Sequence, residues 1–297
     1  TGFGDSPYQS FSTFAGNPYL IDLDTLVEEG LLEEREPKAV NWGSDPGRVS
    51  FGKLYEERGK LLRLAYSRFT PDDAYQAFLE ENTQWLPDYA LFMALKEENG
   101  GAPWLEWPEG LRLREEAALA QARETHTEEI GYQCFVQYQF FRQWKALRGY
   151  ANSKGIRIIG DVPIYVPLDS ADVWVNYKLF QLDETRHPTV VAGCPPDGFT
   201  ADGQLWGNPI YDWQAMADTG YDWWTKRLSA AAGMYDVVRF DHFRGFESYW
   251  AVPAGDKTAR NGCWVKGPGA DFIRAVQKAL PELDFIAEDL GFVTPEV

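Results

Sequence analysis

The 297-residue sequence is short of basic residues, and this shortage excludes two classes of partner. Lys and Arg number 28 against 45 Asp and Glu, which gives a formal net charge of −17 at pH 7. A surface of this charge repels nucleic-acid phosphates and anionic lipid head groups. We therefore expect no nucleic-acid partner and no membrane partner, and a neutral substrate is favoured.

Cysteine and histidine are also scarce, with three residues of each. The cysteines are odd in number and form no C-x-x-C pair, which favours reduced thiols in a cytosol over a disulfide framework. The histidines are scattered and form no H-E-x-x-H motif. The sequence thus predicts no metal site and no organic cofactor.

Long apolar runs and nucleotide-binding motifs are missing as well. No run approaches the ~20 residues needed to span a bilayer. The start, TGFGDSPYQS, lacks the basic and apolar regions of a signal peptide, so we expect a cytoplasmic protein. No P-loop, nucleophile elbow or G-x-G-x-x-G turn is found, which argues against a doubly wound nucleotide fold.

Three short apolar segments predict buried strands, at 156–166, 236–241 and 283–291. Each follows a helical pattern, and the alternation predicts parallel strands joined by right-handed crossovers. The helical patterns cover roughly 111–154, 223–234 and 271–280. Acidic residues stand near the carboxyl end of all three strands, where α/β barrels place catalytic groups. We therefore expect a (β/α)8 TIM barrel.

Two stretches exceed a minimal barrel. Residues 28–123 are charged and helical in pattern, which predicts an inserted helical subdomain. Residues 167–221 are rich in Pro, Gly, Asp and Trp and exceed an ordinary connection of ~2–6 residues, which predicts a substrate-binding loop insertion. Because an initiator Met is missing and the chain stops soon after the third strand, we interpret 1–297 as part of a catalytic barrel, a fragment.

Asp241 and Glu288 have the placement of a catalytic carboxylate pair. Retaining exchange of glycosidic bonds needs a nucleophilic carboxylate and a carboxylic acid about 5–5.5 Å apart. The two residues are 47 positions apart, enough for a loop, a helix and the next strand. Arg239 would share a strand face with Asp241 and hold it ionised. The alternatives are a helix-capping Asp and a buried structural Arg–Asp pair.

Five sequence runs resemble the 4-α-glucanotransferase family, which includes bacterial amylomaltase and the plant disproportionating enzyme. They are SPYQSFS at 6–12, GDVPIYV at 160–166, QLWGNP at 204–209, VRFDHFRGF at 238–246 and FIAEDLG at 285–291. The resemblance covers essentially the whole chain. It implies a retaining enzyme of the α-amylase-like clan that transfers a 1,4-α-glucan segment to a new 4-position on a glucan or glucose.

The resemblance also implies roles for single residues. Asp241 matches the family's nucleophile, Glu288 its acid/base and Arg239 the arginine that orients the nucleophile. The residues that match donor-sugar contacts are Ser6, Tyr8, Asp161, Gln204 and Trp206. The implied partners are maltooligosaccharides, glucans derived from starch or glycogen, and glucose.

Further binding residues follow from composition and position. Segment 254–269 resembles the family's acceptor-side loop, its Gly content suits a mobile lid, and Trp264 is the predicted acceptor contact. Trp206, Trp213 and Tyr211 alternate with polar residues, a pattern typical of a sugar-binding surface.

The resemblance places a third catalytic carboxylate on a strand outside these 297 residues, so we expect this piece alone to be inactive and poorly folded.

Two other functions are compatible with the same sequence features. An α-amylase-like hydrolase would use the carboxylates to pass the glucosyl group to water, and a non-catalytic glucan-binding protein would use the aromatic cleft alone. A hydrolase yields only shorter sugars from maltotriose, whereas a transferase also makes longer ones.

Overall fold

The computed structural model describes residues 6–45 and 47–288, and the chain divides into two compact units. The sheet unit comprises Thr1–Phe14, Ala102–Ala118 and Arg148–Val297. The helical unit comprises Ala15–Gly101 and Leu119–Leu147. In the described part of the chain, no helix combines the length and the apolar character needed to cross a membrane.

The elements are numbered in chain order. The helices are α1 Leu23–Glu28, α2 Arg35–Ala39, α3 Phe51–Lys53, α4 Gly59–Arg68, α5 Asp73–Glu81, α6 Leu86–Glu98, α7 Glu109–Arg112, α8 Glu116–Thr125, α9 Thr127–Ser153, α10 Ala171–Val175, α11 Trp213–Asp218, α12 Asp222–Met234 and α13 Ala270–Ala279. The strands are β1 Ile159–Pro163, β2 Val190–Cys194, β3 Gln204–Pro209, β4 Val237–Asp241, β5 Ser248–Pro253, β6 Cys263–Lys266 and β7 Phe285–Ala287.

The helical unit is held together by an aromatic core. Phe69 packs on Phe135 with ring centroids 4.9 Å apart and on Tyr75 at 5.2 Å. Tyr138 packs edge-on against Tyr75 at 5.3 Å. Such contacts add about 0.5–1.5 kcal/mol each to the burial of apolar area. Helix α5 begins at a side-chain cap, because Asp72 accepts a hydrogen bond from the backbone N–H of Tyr75.

The sheet unit contains the three strands that the sequence predicts. They form a sheet in the order β1–β4–β7, and β4 is parallel to both neighbours, so the predicted parallel pairing is confirmed. Helix α12 precedes β4 and α13 precedes β7, as the helical patterns predict. The last predicted strand residues, 289–291, lie outside the described residues.

The register of this sheet collects charged side chains on one face. Asp161 of β1 lies opposite Arg239 of β4, and Pro163 lies opposite Asp241. Val238 and Phe240 alternate with these residues and are only 1% exposed. Because side chains alternate across a strand, the apolar residues point into the core and Arg239 and Asp241 share the other face.

A second sheet is antiparallel, with the order β3–β2–β5–β6. Sequence analysis predicts no strand at β2, β3, β5 or β6. The contact between β2 and β3 requires glycine at position 193, since a Cβ there would lie 2.4 Å from the Gln204 carbonyl oxygen. The sheet therefore depends on a close backbone approach that hydrophobic periodicity does not reveal.

Asp236 fixes the amino end of β4. Its carboxylate accepts hydrogen bonds from Arg148 at 2.8 Å, from the Asn152 amide at 2.9 Å and from the Ile158 backbone N–H at 2.7 Å. These bonds, led by that from Ile158, lower the pKa of Asp236 to about 2. The carboxylate is thus stabilised in its charged form where β1 and β4 begin.

We expect Asp236→Asn to lower the melting temperature at pH 7. The folded-state pKa lies below the ordinary value of 3.8, so the stabilisation is complete above that value and is lost as the pH falls toward 2. Thermal unfolding measured from pH 7 down to pH 2 should show a difference in melting temperature from wild type that shrinks as the pH falls from 3.8 toward 2. Asp284→Asn, which removes an exposed pair with Arg157, is the control and should have little effect. Equal melting temperatures for Asp236→Asn and wild type at pH 7 would contradict this role.

Candidate active site

A cleft of about 320 Å³ lies at the carboxyl ends of β1 and β4. It is lined by Tyr8, Gln9, Pro163, Ile164, Tyr165, Trp206, Asn208, Asp241 and His242. Its volume is at the lower end of the range for ligand sites, and its lining combines aromatic rings with a few polar groups. Of the residues that sequence analysis proposes for the site, Tyr8, Trp206 and Asp241 line this cleft directly.

A chain of hydrogen bonds joins four side chains beside the cleft. The Tyr8 hydroxyl donates to Asp161 Oδ2 at 2.8 Å. Arg239 Nη1 donates to Asp161 Oδ1 and also to Asp241 Oδ1, the latter at 3.2 Å. One guanidinium group thus bridges two carboxylates and offsets part of the repulsion between them.

The ionisation of Asp241 reflects opposing influences. Partial burial raises its pKa above the ordinary aspartate value, and the negative charges of Asp161 and Glu288 act in the same direction. The charge of Arg239 and its hydrogen bond lower it in part. Asp241 therefore takes up a proton at a higher pH than an ordinary aspartate does, but Arg239 limits the change.

Glu288 follows β7 and lies next to the end of β4. Its backbone N–H donates to the Phe240 carbonyl at 3.0 Å, which continues the pairing of the two strands. Its Oε2 accepts the backbone N–H of His242 at 2.8 Å. His242 has a left-handed backbone, φ 54° and ψ 46°, which is uncommon for a residue other than glycine. This conformation points the backbone N–H of His242 toward the Glu288 carboxylate.

Aromatic groups line the cleft beside these carboxylates. The Trp206 ring meets the His242 ring edge-on, with centroids 4.9 Å apart, and lies 6.3 Å from the Tyr165 ring. Gln204 Oε1 accepts a hydrogen bond from the Trp206 indole N–H at 3.1 Å. Burial lowers the pKa of His242, so its ring is uncharged at neutral pH. The lining thus presents neutral rings that suit an uncharged ligand.

The segment that carries Tyr8 begins with a turn at Ser6. The Ser6 hydroxyl accepts the Tyr8 backbone N–H at 3.3 Å, and the Ser6 carbonyl accepts that of Gln9 at 3.1 Å. The hydrogen bond to Asp161 raises the pKa of the Tyr8 phenol to about 12, so the hydroxyl stays protonated near neutral pH. Ser6 therefore stabilises the turn through these two hydrogen bonds, and Tyr8 lines the cleft.

Trp264 lies in a β-hairpin, where sequence analysis predicts a mobile loop over 254–269. It belongs to β6, is 43% exposed, and packs on Trp250 at 5.3 Å and over the buried Arg244 guanidinium at 4.0 Å. The hairpin loop is fastened at Ala259, whose N–H donates to the Asp202 carbonyl at 2.9 Å. The structure thus brings Trp264 to the antiparallel sheet and not to the lining of the cleft.

The aromatic surface expected at 206–213 forms only in part. Tyr211 is fully buried, and its hydroxyl donates to the Ile164 carbonyl at 2.8 Å, so its assignment to a sugar-binding surface is wrong. Trp213 packs on Tyr211, Phe246 and Phe272. A sequence pattern of alternating aromatic and polar residues does not separate a ring on the cleft from a ring beneath it.

The sequence pattern assigns no binding role to Gln9 or His242, two of the cleft residues, whereas Asn208 is one of the polar residues of the expected sugar-binding surface. His242 directly follows the predicted strand end at Asp241, and Gln9 follows Tyr8, so both lie inside the runs that resemble the family, next to residues that received a role. Asn208 is held by its own contact, since its amide donates to the Val166 carbonyl at 2.9 Å. Position relative to the strand ends was therefore the usable signal.

A second cavity, of about 410 Å³, lies in the helical unit. Its polar lining groups serve the fold: Asp22 caps α1, Arg58 Nε donates to the Pro18 carbonyl at 3.2 Å, and the Trp42 indole donates to the Pro37 carbonyl at 3.1 Å. Among residues 6–45 and 47–288, no group of three or more His, Cys, Asp or Glu side chains could hold a metal ion. Asp241 lines the strand-end cleft and not this cavity.

Parallel strands that end in neighbouring carboxylates, with an aromatic cleft beside them, define the class: this is an α/β protein with a strand-end carboxylate site. A family model described as 4-alpha-glucanotransferase matches residues 1–297. The chain belongs to the 4-α-glucanotransferase family.

Named relatives agree with the family match. The chain is 51% identical over 301 residues to a 4-alpha-glucanotransferase of Streptococcus pneumoniae and 50% identical over 303 residues to one of Thermus thermophilus. Each alignment covers 100% of this chain and 60% of the relative. The chain thus spans about 60% of the length of these curated relatives.

Two solved structures are similar to this chain. Amylomaltase from Streptococcus agalactiae in complex with acarbose superposes with a TM-score of 0.96 at 43% identity, covering 99% of this chain and 60% of that one. Amylomaltase from Corynebacterium glutamicum has a TM-score of 0.77 at 20% identity, which shows a shared fold alone.

Proposed function

We propose that the complete protein containing this chain is a 4-α-glucanotransferase that moves a 1,4-α-glucan segment to a 4-hydroxyl of another glucan or of glucose. The observation that carries the proposal is the pair Asp241 and Glu288 at the ends of adjacent parallel strands, with Arg239 bonded to Asp241. Membership of the family and the acarbose complex of the S. agalactiae relative support a glucan as the ligand.

The scaffold of this proposal is a (β/α)8 barrel of which the chain supplies β1, β4 and β7. Their parallel order, with helices between them, supports this arrangement. Residues 28–123 would be the inserted helical subdomain and residues 167–221 the substrate-binding insertion. A cytoplasmic location goes with this function, because glucans and glucose would be met there.

The proposed first step forms a covalent intermediate. An Asp241 carboxylate oxygen attacks the anomeric carbon, the bond to the departing sugar breaks, and Glu288 gives its proton to the leaving oxygen. Arg239 keeps Asp241 charged for the attack, and the His242 N–H holds one Glu288 oxygen so that the other carries the proton. The product is a glycosyl ester on Asp241 and a shortened glucan.

The second step reverses these roles. Glu288, now a carboxylate, takes the proton of an acceptor 4-hydroxyl, whose oxygen attacks the anomeric carbon and releases Asp241. Two inversions give net retention.

Substrate binding is assigned to residues around the cleft. We propose that the donor sugar contacts Tyr8, Trp206 and Asp161, with Ser6 and Gln204 as polar support. The acceptor would be met by Trp264 on its hairpin.

Incubation of the complete protein with maltotriose tests this proposal. A transferase produces glucose together with maltotetraose and longer glucans, and the summed number of reducing ends stays constant. A rise in reducing ends with only shorter products would instead indicate a hydrolase. Binding of maltotriose without turnover would indicate a glucan-binding protein.

A further inference from the structure

A buried polar cluster lies beneath the cleft, formed by Asp172, Arg227 and Tyr211. Asp172 and Arg227 are each 3% exposed, and Tyr211 is fully buried. Charged side chains are rarely buried to this degree unless they are paired and hydrogen-bonded, because desolvation costs several kcal/mol per ion. The proposed reaction uses none of the three, so the cluster requires another explanation.

Arg227 and Tyr211 hold the backbone that forms one wall of the cleft. Arg227 Nη2 donates to the Pro163 carbonyl at 2.6 Å, and Nη1 donates to the Ile164 carbonyl at 3.3 Å. The Tyr211 hydroxyl donates to the same Ile164 carbonyl at 2.8 Å. Pro163 and Ile164 line the cleft where β1 ends. Pro163 is the last paired residue of β1 and Ile164 follows it, and both carbonyls accept hydrogen bonds from these side chains.

Asp172 holds the segment that leads to Tyr8 and Gln9, two other residues of the cleft lining. Its Oδ2 accepts the Thr13 backbone N–H at 2.8 Å and its Oδ1 the Thr13 hydroxyl at 3.1 Å. Beside these two bonds, the Ala171 backbone N–H donates to the Phe11 carbonyl at 2.8 Å. These three bonds fasten residues 11–13 to the start of α10, and the segment that continues from them carries Tyr8 and Gln9 into the cleft.

The two charges depend on each other. Burial raises the pKa of Asp172 to about 6, and the bonds from Thr13 and the positive charge of Arg227 oppose that rise. Burial lowers the pKa of Arg227, and the charge of Asp172 opposes that fall. The opposite charges of Asp172 and Arg227 thus favour each other's charged form, while each side chain is hydrogen-bonded to a different segment of the chain.

We propose that Asp172 and Arg227 are positioning residues that hold two segments of the cleft lining, the end of β1 and the segment of Tyr8 and Gln9, and thereby set the binding of the donor glucan. This inference rests on the proposed function, because it assigns the cleft to a donor glucan. Neither residue touches the reacting atoms. Their removal should therefore weaken donor binding much more than it slows the chemical steps.

The test uses the complete protein with Asp172→Asn, Arg227→Met, Arg227→Lys and the double variant Asp172→Asn/Arg227→Met. We expect each charge-removing single variant to raise the KM for maltotriose about tenfold while kcat changes less than about threefold. Arg227→Lys keeps the charge with a single donor group and should give an intermediate KM. The double variant should raise the KM by about the product of the two single effects, because each residue holds its own segment through its own hydrogen bonds.

Asp236→Asn is the matched control, since it removes a hydrogen-bonded carboxylate at the opposite end of β4. It should lower the melting temperature without changing KM. If Asp172→Asn and Arg227→Met behave like this control, or if kcat falls as far as KM rises, the inference is overturned. Arg227→Lys and Asp172→Asn preserve side-chain size closely enough to provide the test should Arg227→Met fail to fold. A wild-type protein that neither transfers nor binds maltotriose would overturn the proposed function itself, and the inference with it.

Discussion

Asp241→Asn in the complete protein is expected to lower the rate of maltotriose disproportionation by about 10,000-fold. The amide cannot form the glycosyl ester, because it lacks the charge that attacks the anomeric carbon. The contact with Arg239 survives in part, since an Asn side-chain oxygen still accepts a hydrogen bond. Donor binding should therefore change little, and the loss should appear in kcat.

Initial rates and calorimetric binding of maltotriose, measured on the same preparation, separate these two effects. Asp284→Asn is the control, because Asp284 pairs with Arg157 just before β7 and is largely exposed. It should keep the wild-type rate within about twofold. Transfer by Asp241→Asn at more than a tenth of the wild-type rate would remove Asp241 from the role of nucleophile.

Glu288→Gln is expected to show a loss that depends on the leaving group. With maltotriose as donor, the departing sugar oxygen needs a proton, and general acid–base catalysis of this kind contributes about 100- to 10,000-fold. With α-maltosyl fluoride, the leaving fluoride needs no proton, so the first step should proceed near the wild-type rate. The glycosyl ester should then accumulate, because no base activates the acceptor.

Azide distinguishes this explanation from simple damage to the site, since it attacks the ester without a base. Its addition to Glu288→Gln with α-maltosyl fluoride should restore turnover and give α-maltosyl azide. Glu282→Gln, at an exposed position near the start of β7, is the control and should match wild type with both donors. Equal losses on maltotriose and on the fluoride would exclude Glu288 as the acid/base.

The strands and helices around the site were predictable because local sequence determines them. The apolar runs before Asp161, Asp241 and Glu288 have the length of buried strands, and each follows a segment with helical periodicity. Both signals therefore indicate strands that alternate with helices. The shared face of Arg239 and Asp241 follows from the two-residue repeat of a strand, and Asp161 joins them through the register with β1. The sequence thus predicts the shared face of Arg239 and Asp241, whereas the position of Asp161 opposite Arg239 depends on the register of β1 with β4.

Other features depend on contacts between distant segments and could not be predicted. Strands β2 and β3 are short, and Gly193 acquires its meaning only from the approach of the Gln204 carbonyl. The sequence pattern places Trp264 in a Gly-rich loop, and only the pairing of β5 with β6 shows that it belongs to a strand. The left-handed conformation of His242 has no local signal, since glycine is the usual residue there.

The buried polar cluster shows the same limit most clearly. Asp172 bonds to Thr13, and Arg227 bonds to carbonyls more than 60 positions earlier in the chain. In the sequence, Asp172 resembles a helix-start residue and Arg227 an exposed charge of an amphipathic helix. Only the folded chain places both in the core beneath the cleft.

Mass spectrometry of a trapped intermediate tests the central claim most directly. The Glu288→Gln variant of the complete protein is mixed with α-maltosyl fluoride, quenched in acid, digested and sequenced by fragmentation. We predict a peptide heavier by one maltosyl group, with the group attached to Asp241 through an ester. Attachment to Asp161 or to another residue, or release of a β-configured product with no adduct, would contradict the assignment of Asp241 as the nucleophile of a retaining transferase.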